Sequence, residues 1–286
     1  MGLFLTILLL ASPHRLQEAG AGDEVIGAVG QTTIAGGESL IEIARAHDVG
    51  YGSIVAANPL LDPFVPTAGA VATLPTGWII PRAAAPGTVI VNLSEMRLYL
   101  FPLSPGAPVT FPVGVGSEGW GTPLGTFTVI GKQANPPWHP PASIRREDPE
   151  LPAVVPPGPD NPLGSHALRL SKGSILIHGT NKPFGVGMKV SHGCIRLYPE
   201  DIPHLFKLVD VGTPVTIVRE PVKVGLRGGR VYVEIHQDDD LRVDYAAEAH
   251  RLLASRALLE RVDAEKLDAA LRDRRGIPVD VSTDAR

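Results

Sequence analysis

Two short stretches decide how this chain is read: Ile175-Leu176-Ile177-His178-Gly179-Thr180, and then Ser191-His192-Gly193-Cys194-Ile195-Arg196-Leu197. The first is an apolar strand that ends in a histidine. The second is a sharp polar turn around the only cysteine of the chain. A free thiol is mostly protonated at neutral pH, but a paired imidazole can draw its pKa down to about 3–4 in papain-like sites. Two histidines stand in range, His192 within the turn and His178 sixteen residues before Cys194. His178 precedes Gly179, so its ring can be held at the rim of a sheet. In the turn, the N–H groups of His192, Gly193 and Cys194 can converge into a nest suited to an oxyanion. Gly193 lets the chain bend and lets a carbonyl approach.

This pattern predicts acyl transfer. Cys194 is the nucleophile, His178 the general base and then the acid for the leaving amine, and the Gly179 carbonyl orients the ring. The turn amides of His192, Gly193 and Cys194 form the oxyanion hole. A lone cysteine is more often a small buried hydrophobe, and Ile195 and Leu197 would suit a core. Against that, Ser191, His192, Gly193 and Arg196 surround the thiol with polar groups. His178, His192 and Cys194 could in principle ligate a metal, but their spacing fits no metal motif and no carboxylate is adjacent, so neither a metal nor a cofactor is expected.

Outward from this centre the chain reads as short strands and turns. Val89–Asn92 and Arg97–Phe101 flank a turn at Ser94-Glu95, and Val109–Val115 and Gly125–Gly131 continue the rhythm. Ala167–Leu170 and Pro214–Val218 are further strands, with a helix over Pro199–Leu208. Residues 135–164 hold nine prolines together with Trp138 and His139, and read as a loop that could wall a cleft. Beyond residue 218, Val231–Ile235 is a strand. Leu252, Leu259, Val262, Leu267 and Leu271 then predict one helix over Ala246–Arg274, stopped by Gly276 and Pro278.

Before the strands, residues 31–81 read as a compact α+β unit of strand, two helices and strand. Ser39 and Glu42 have capping-box spacing, and Pro59 stops the second helix. Residues 81–87 are a linker by composition. Leu3–Ala11 is too short to span a bilayer and suits the apolar core of an export leader over residues 1–21, which predicts an exported protein without a membrane span.

Composition agrees with this division. Gly 31 and Pro 28 of 286 residues disfavour a helix bundle and favour turns and short strands. A net charge of −4 implies no surface for gripping nucleic acid. One cysteine excludes an intrachain disulfide.

The His178 … Ser191-His192-Gly193-Cys194-Ile195-Arg196 pattern resembles that of the L,D-transpeptidases with a YkuD-type catalytic domain. Asn92-Leu93-Ser94-Glu95-Met96-Arg97-Leu98, Thr122-Pro123-Leu124-Gly125-Thr126-Phe127, Asn135-Pro136-Pro137-Trp138, Gly158–Gly164 and Val211–Val215 fit the same family. The resemblance covers residues 87–218. Gly37-Glu38-Ser39-Leu40, Ile43-Ala44-Arg45, Ala57-Asn58-Pro59 and Leu74-Pro75 resemble a LysM domain, with Glu38 where Asp is usual. The order is similar to that of Gram-negative periplasmic enzymes.

The resemblance implies a mainly β, sandwich-like catalytic domain, the small LysM-like domain, and a strand/helix extension of unknown role over 219–286. It implies peptidoglycan stem peptides and glycan strands as partners and sensitivity to carbapenems. Cys194 would release D-Ala from a tetrapeptide stem and pass the acyl group to an amine, either of another stem or of an outer-membrane lipoprotein. Ser191 and Arg196 would shape the site and bind substrate, with Trp138 and Asn181 as further candidates. Hydrolysis of the same acyl-enzyme, or an idle wall-binding module, are the competing functions.

Overall fold

A computed structural model of the chain describes residues 22–104 and 106–284. The expected leader, residues 1–21, lies outside the described residues. The N-terminal unit contains β1 (Val25–Gly27), β2 (Gly30–Thr33), α1 (Leu40–Ala46), α2 (Tyr51–Ala57), β3 (Val71–Leu74) and β4 (Gly77–Ile79). Ser39 caps α1: its hydroxyl accepts from the Glu42 N–H, and the Glu42 carboxylate accepts from the Ser39 N–H, the reciprocal box that the sequence spacing predicts. The strands pair β1 with β4 and β2 with β3, both antiparallel.

The central unit comprises β5 (Val89–Asn92), β6 (Arg97–Leu100), β7 (Val109–Pro112), β8 (Val115–Gly116), β9 (Gly125–Ala134), α3 (Ala142–Glu147), β10 (His166–Leu170), β11 (Leu176–His178), β12 (Lys189–Ser191), β13 (Ile195–Arg196), α4 (Ile202–Leu208) and β14 (Pro214–Val218). Eight of these strands form one sheet in the order β13-β11-β10-β9-β14-β5-β6-β7. The sandwich-like core is this single sheet curled on itself. Just past β7, Gly114 exchanges two backbone hydrogen bonds with Arg196 of β13, at 2.8 and 2.9 Å, so the ends of the sheet meet. Inside lie Val89, Val91, Leu98, Phe111, Val129, Leu168, Leu170, Ile177, Ile195 and Leu197, closed by Ile202 and Leu205 of α4.

β5 and β6 are buried on both faces. Their alternate residues Ile90 and Tyr99, with Phe101, pack into the core of the N-terminal unit beside Ile26, Leu40, Ile54 and Trp78. That double burial explains why these strands read as unbroken apolar runs. Further contacts fix the same junction. Arg45 forms a two-point ion pair with Glu200, the Tyr198 hydroxyl donates to the Val49 carbonyl, and the Tyr51 N–H donates to the Val186 carbonyl.

The C-terminal extension has its own core around β15 (Val222–Arg227), β16 (Arg230–Ile235), α5 (Tyr245–Ser255), α6 (Ala264–Asp273) and β17 (Val279–Asp280). The single helix expected over Ala246–Arg274 is two helices. α5 ends where Ala257 takes a left-handed φ of 53°. There the N–H groups of Ala257 and Leu258 return to the carbonyls of Ala254 and Leu253, a Schellman ending without its usual glycine. Leu258 is thereby buried, whereas Leu259, assigned to the apolar stripe, is exposed. Asp263 then caps α6 by accepting from Glu265 and Lys266.

One buried network locks the three units together. The Lys223 ammonium lies 2.7 Å from a Glu95 oxygen and 3.0 Å from a Glu234 oxygen, and also donates to the Ile79 carbonyl at 2.7 Å. Burial works against the charge of Lys223, but Glu234 and Glu95 more than offset this and hold its pKa above the ordinary lysine value. Glu95, Glu234 and His236 have the donor types of a cation site, and the ammonium of Lys223 supplies the positive charge between the two carboxylates. Lys223→Met removes that charge and leaves the carboxylates facing each other. The expected cost is about 3–5 kcal/mol, read as a thermal midpoint lowered by roughly 10 °C. An unchanged midpoint would show that the network does not hold the units together.

Candidate active site

The sheet register brings the sequence-predicted residues to one edge. β11 and β13 are parallel, with Ile177 beside Ile195 and His178 beside Arg196. Ile177, Ile195 and Leu197 point into the core. Side chains alternate along a strand, so His178, Cys194 and Arg196 share the opposite face. Cys194 stands two residues before Arg196, and so diagonally across from His178. Diagonal neighbours of this kind have Cα atoms about 7–8 Å apart, within reach of a long side chain. Cys194 is half-buried rather than sealed in the core, so the reading of the thiol as a packing residue does not describe this site.

His178 is 3% exposed, and its Nδ1 lies 2.6 Å from the Gly179 carbonyl oxygen. That contact makes Nδ1 the protonated nitrogen and leaves the Nε2 lone pair to accept a proton. Gly179 has no room for a side chain: a Cβ there would lie 2.9 Å from Ile202 Cγ2 and 3.4 Å from the Leu163 carbonyl oxygen. Burial and the nearby Arg196 charge lower the His178 pKa to about 4, although the Gly179 and Leu163 carbonyls favour the protonated ring. Burial also raises the Cys194 thiol, partly offset by a hydrogen bond from the Leu176 backbone and by Arg196. Both shifts favour the neutral thiol and the neutral imidazole over the thiolate–imidazolium pair expected from sequence, because this pocket penalises both charges.

The turn is held from behind. Ser191 is 1% exposed, and its hydroxyl donates to the Cys194 carbonyl at 2.5 Å. That bond shapes the turn. Gly193 has a φ of +95°, and a Cβ there would press on Ile175 Cδ1 at 3.3 Å, so only glycine makes this turn without strain. Arg196 is half-buried, and its Nε–H has no hydrogen-bond partner among the described residues. It is thus an available donor beside the thiol.

Residues 86–217 match the family described as YkuD, the L,D-transpeptidase catalytic domain. The chain is 41% identical over 259 residues to "Probable L,D-transpeptidase YcfS" of Escherichia coli (strain K12), covering 86% of this chain and 81% of that one. The chain belongs to the L,D-transpeptidase family. The same organism supplies "Probable L,D-transpeptidase ErfK/SrfK", 37% identical over 87% of this chain and 84% of that one. "Probable L,D-transpeptidase YbiS" is 37% identical over 90% and 89% respectively. The enzyme is a transpeptidase on a mainly β scaffold, and no helix among its described residues is long and apolar enough to cross a membrane.

The sequence reading missed Trp120. Its ring lies 4.8 Å from that of His192, on a loop that hydrogen-bonds to the turn before Cys194 through Ser117 and the Ser191 carbonyl. Only the family-like stretch just after it pointed there. Trp138, by contrast, is tied into the proline-rich loop by a backbone bridge to Val155. Asn161 is fully buried and clasps that loop by donating to the carbonyls of Pro136, Val155 and Pro156. The loop is thus built as a wall, with α3 inside it. Asn181 uses its amide on the Asp160 carbonyl, at the foot of the same wall.

Proposed function

We propose that Cys194 attacks the carbonyl of the third residue of a peptidoglycan tetrapeptide stem, with His178 as the base. The observation that carries this is the shared face of His178 and Cys194 at the closing edge of the sheet. The thiol proton passes to His178 Nε2 as the sulfur–carbon bond forms. The oxyanion is held by turn amides of His192, Gly193 and Cys194, a contribution of about 3–4 kcal/mol per donor. When the peptide bond breaks, His178 gives its proton to the departing D-Ala amine, leaving a thioester. An incoming amine then attacks the thioester, loses its proton to His178, and the thiol is restored. The Arg196 charge near the thiol favours negative charge there.

The amine of a second stem gives a 3–3 crosslink, and the terminal lysine of an outer-membrane lipoprotein gives wall anchoring. Both place the enzyme in the periplasm. Incubation with purified sacculi followed by muropeptide analysis is expected to show 3–3 dimers with release of D-Ala. Tripeptides alone would mean that water is the acceptor, and unchanged muropeptides would refute the reading.

The LysM-like unit is proposed to hold the glycan. Its α2–β3 connection presents Leu60, Phe64 and Val65 to solvent, with Phe64 near Tyr51 at 6.4 Å between ring centroids. Exposed aromatic and aliphatic faces of this kind suit sugar rings. Deleting the unit would uncover Ile90 and Tyr99, so a point change is the better test. Phe64→Ser is expected to lower retention on sacculi severalfold while leaving the thermal midpoint unchanged. Undiminished retention would remove this unit from wall binding.

A further inference from the structure

We infer that Arg169 is a specificity residue that docks a carboxylate of the stem peptide in the cleft beside Cys194. The inference rests on the transpeptidase reading above and specifies how the substrate is held. Arg169 pairs with Leu176 on β11 and with Gly131 on β9. The register of β11 and β13, continued by one residue, sets Leu176 beside Cys194. Adjacent strands lie about 4.8 Å apart, so Arg169 stands about 10 Å from Cys194 across the same sheet face. An arginine side chain and one substrate side chain together cover that span.

A cleft of about 380 Å³ lies over Arg169 and reaches Leu176, the register neighbour of Cys194. Its floor includes Gly131, Gln133, Arg169 and Leu176, and Pro137 and His139 of the proline-rich loop line it as well. Among the described residues no carboxylate lines it. Lys132 turns its ammonium to the other face of the sheet, 4.6 Å from the centre of the Phe206 ring. Arg169 is exposed, and among the described residues no acid or carbonyl pairs with its guanidinium. Gly131 opposite it carries no side chain, so the floor beside the guanidinium stays open. A planar, always-charged fork in an acid-free cleft matches a carboxylate in two-point geometry. The stem offers two such groups near the attacked bond: the terminal carboxylate of the leaving D-Ala and the side-chain carboxylate of the third residue.

Three tetrapeptide donors separate the possibilities: one unmodified, one amidated at the terminal D-Ala, one amidated at the third-residue side chain. Release of the terminal residue is followed for the full-length wild type, Arg169→Gln and Arg169→Lys. The wild type is expected to lose tenfold or more in kcat/KM on one of the amidated donors, mainly through KM, and the donor that suffers identifies the carboxylate. Arg169→Gln is expected to treat that donor and the unmodified one alike, with Arg169→Lys in between. The rate of Cys194 alkylation by iodoacetamide should be the same in all three proteins. Discrimination by Arg169→Gln as sharp as that of the wild type would overturn the inference and leave the transpeptidase reading intact, as would a wild type indifferent to both amidations. If the wild type released nothing from any donor, the transpeptidase reading itself would fail, and this inference with it.

Discussion

Cys194→Ala is expected to abolish both crosslink formation and D-Ala release, with a loss of at least about 10⁴-fold, the scale seen when a covalent nucleophile is removed. Cys194 stands half-buried on the His178 face of the sheet edge. The substitution removes one half-buried sulfur that donates to the Ser174 carbonyl at 3.8 Å. The fold should therefore survive, with a thermal midpoint near that of the wild type. Retention on sacculi should also survive, because Leu60, Phe64 and Val65 lie in a different unit. A variant that still forms 3–3 dimers would place the chemistry elsewhere.

His178→Gln is expected to lower kcat/KM by about 10²–10⁴-fold, the usual contribution of a positioned general base. The pH profile separates this role from packing. In the wild type the imidazole must be neutral to accept the thiol proton. Its pKa of about 4 therefore places the acid limb of kcat/KM near pH 4, well below that of an ordinary histidine. Activity should be nearly level from pH 5.5 to 7.5, and His178→Gln should lose the limb near pH 4. Stability moves with the same sign. The folded-state pKa lies below the unfolded value of about 6.5, so the unfolded chain takes up the proton first, and the wild type loses stability as pH falls from 6.5 toward 4. Above 6.5 the group is neutral in both states and contributes no slope. A wild-type acid limb near pH 6.5 would contradict the buried, neutral base.

Much of the site was legible because local chemistry fixes it. Gly193 needs a left-handed φ, Gly179 needs the absence of a side chain, and His178 ends an apolar strand, so the residue types alone announce the turn and the rim. The preference for the neutral imidazole was not legible. It depends on how deeply His178 is buried and on the closeness of Arg196, which strand order sets beside it. Ser191 read as a ligand contact because its neighbours are functional, and its hydroxyl closes the turn on the Cys194 carbonyl. The C-terminal helix was read as unbroken because Leu252 and Leu267 keep one period across a Schellman ending built on alanine, where glycine would have marked the stop. The docking of the N-terminal unit left a trace in the sequence: Ile90 and Tyr99 interrupt the alternation that a sheet with one wet face would show.

The most direct measurement is intact-protein and peptide mass spectrometry after mixing with a tetrapeptide stem and quenching in acid. The mechanism predicts a mass gain equal to the stem less D-Ala, mapping to the peptide that contains Cys194 and absent from Cys194→Ala. A gain on any other residue, or the same gain in Cys194→Ala, would contradict it.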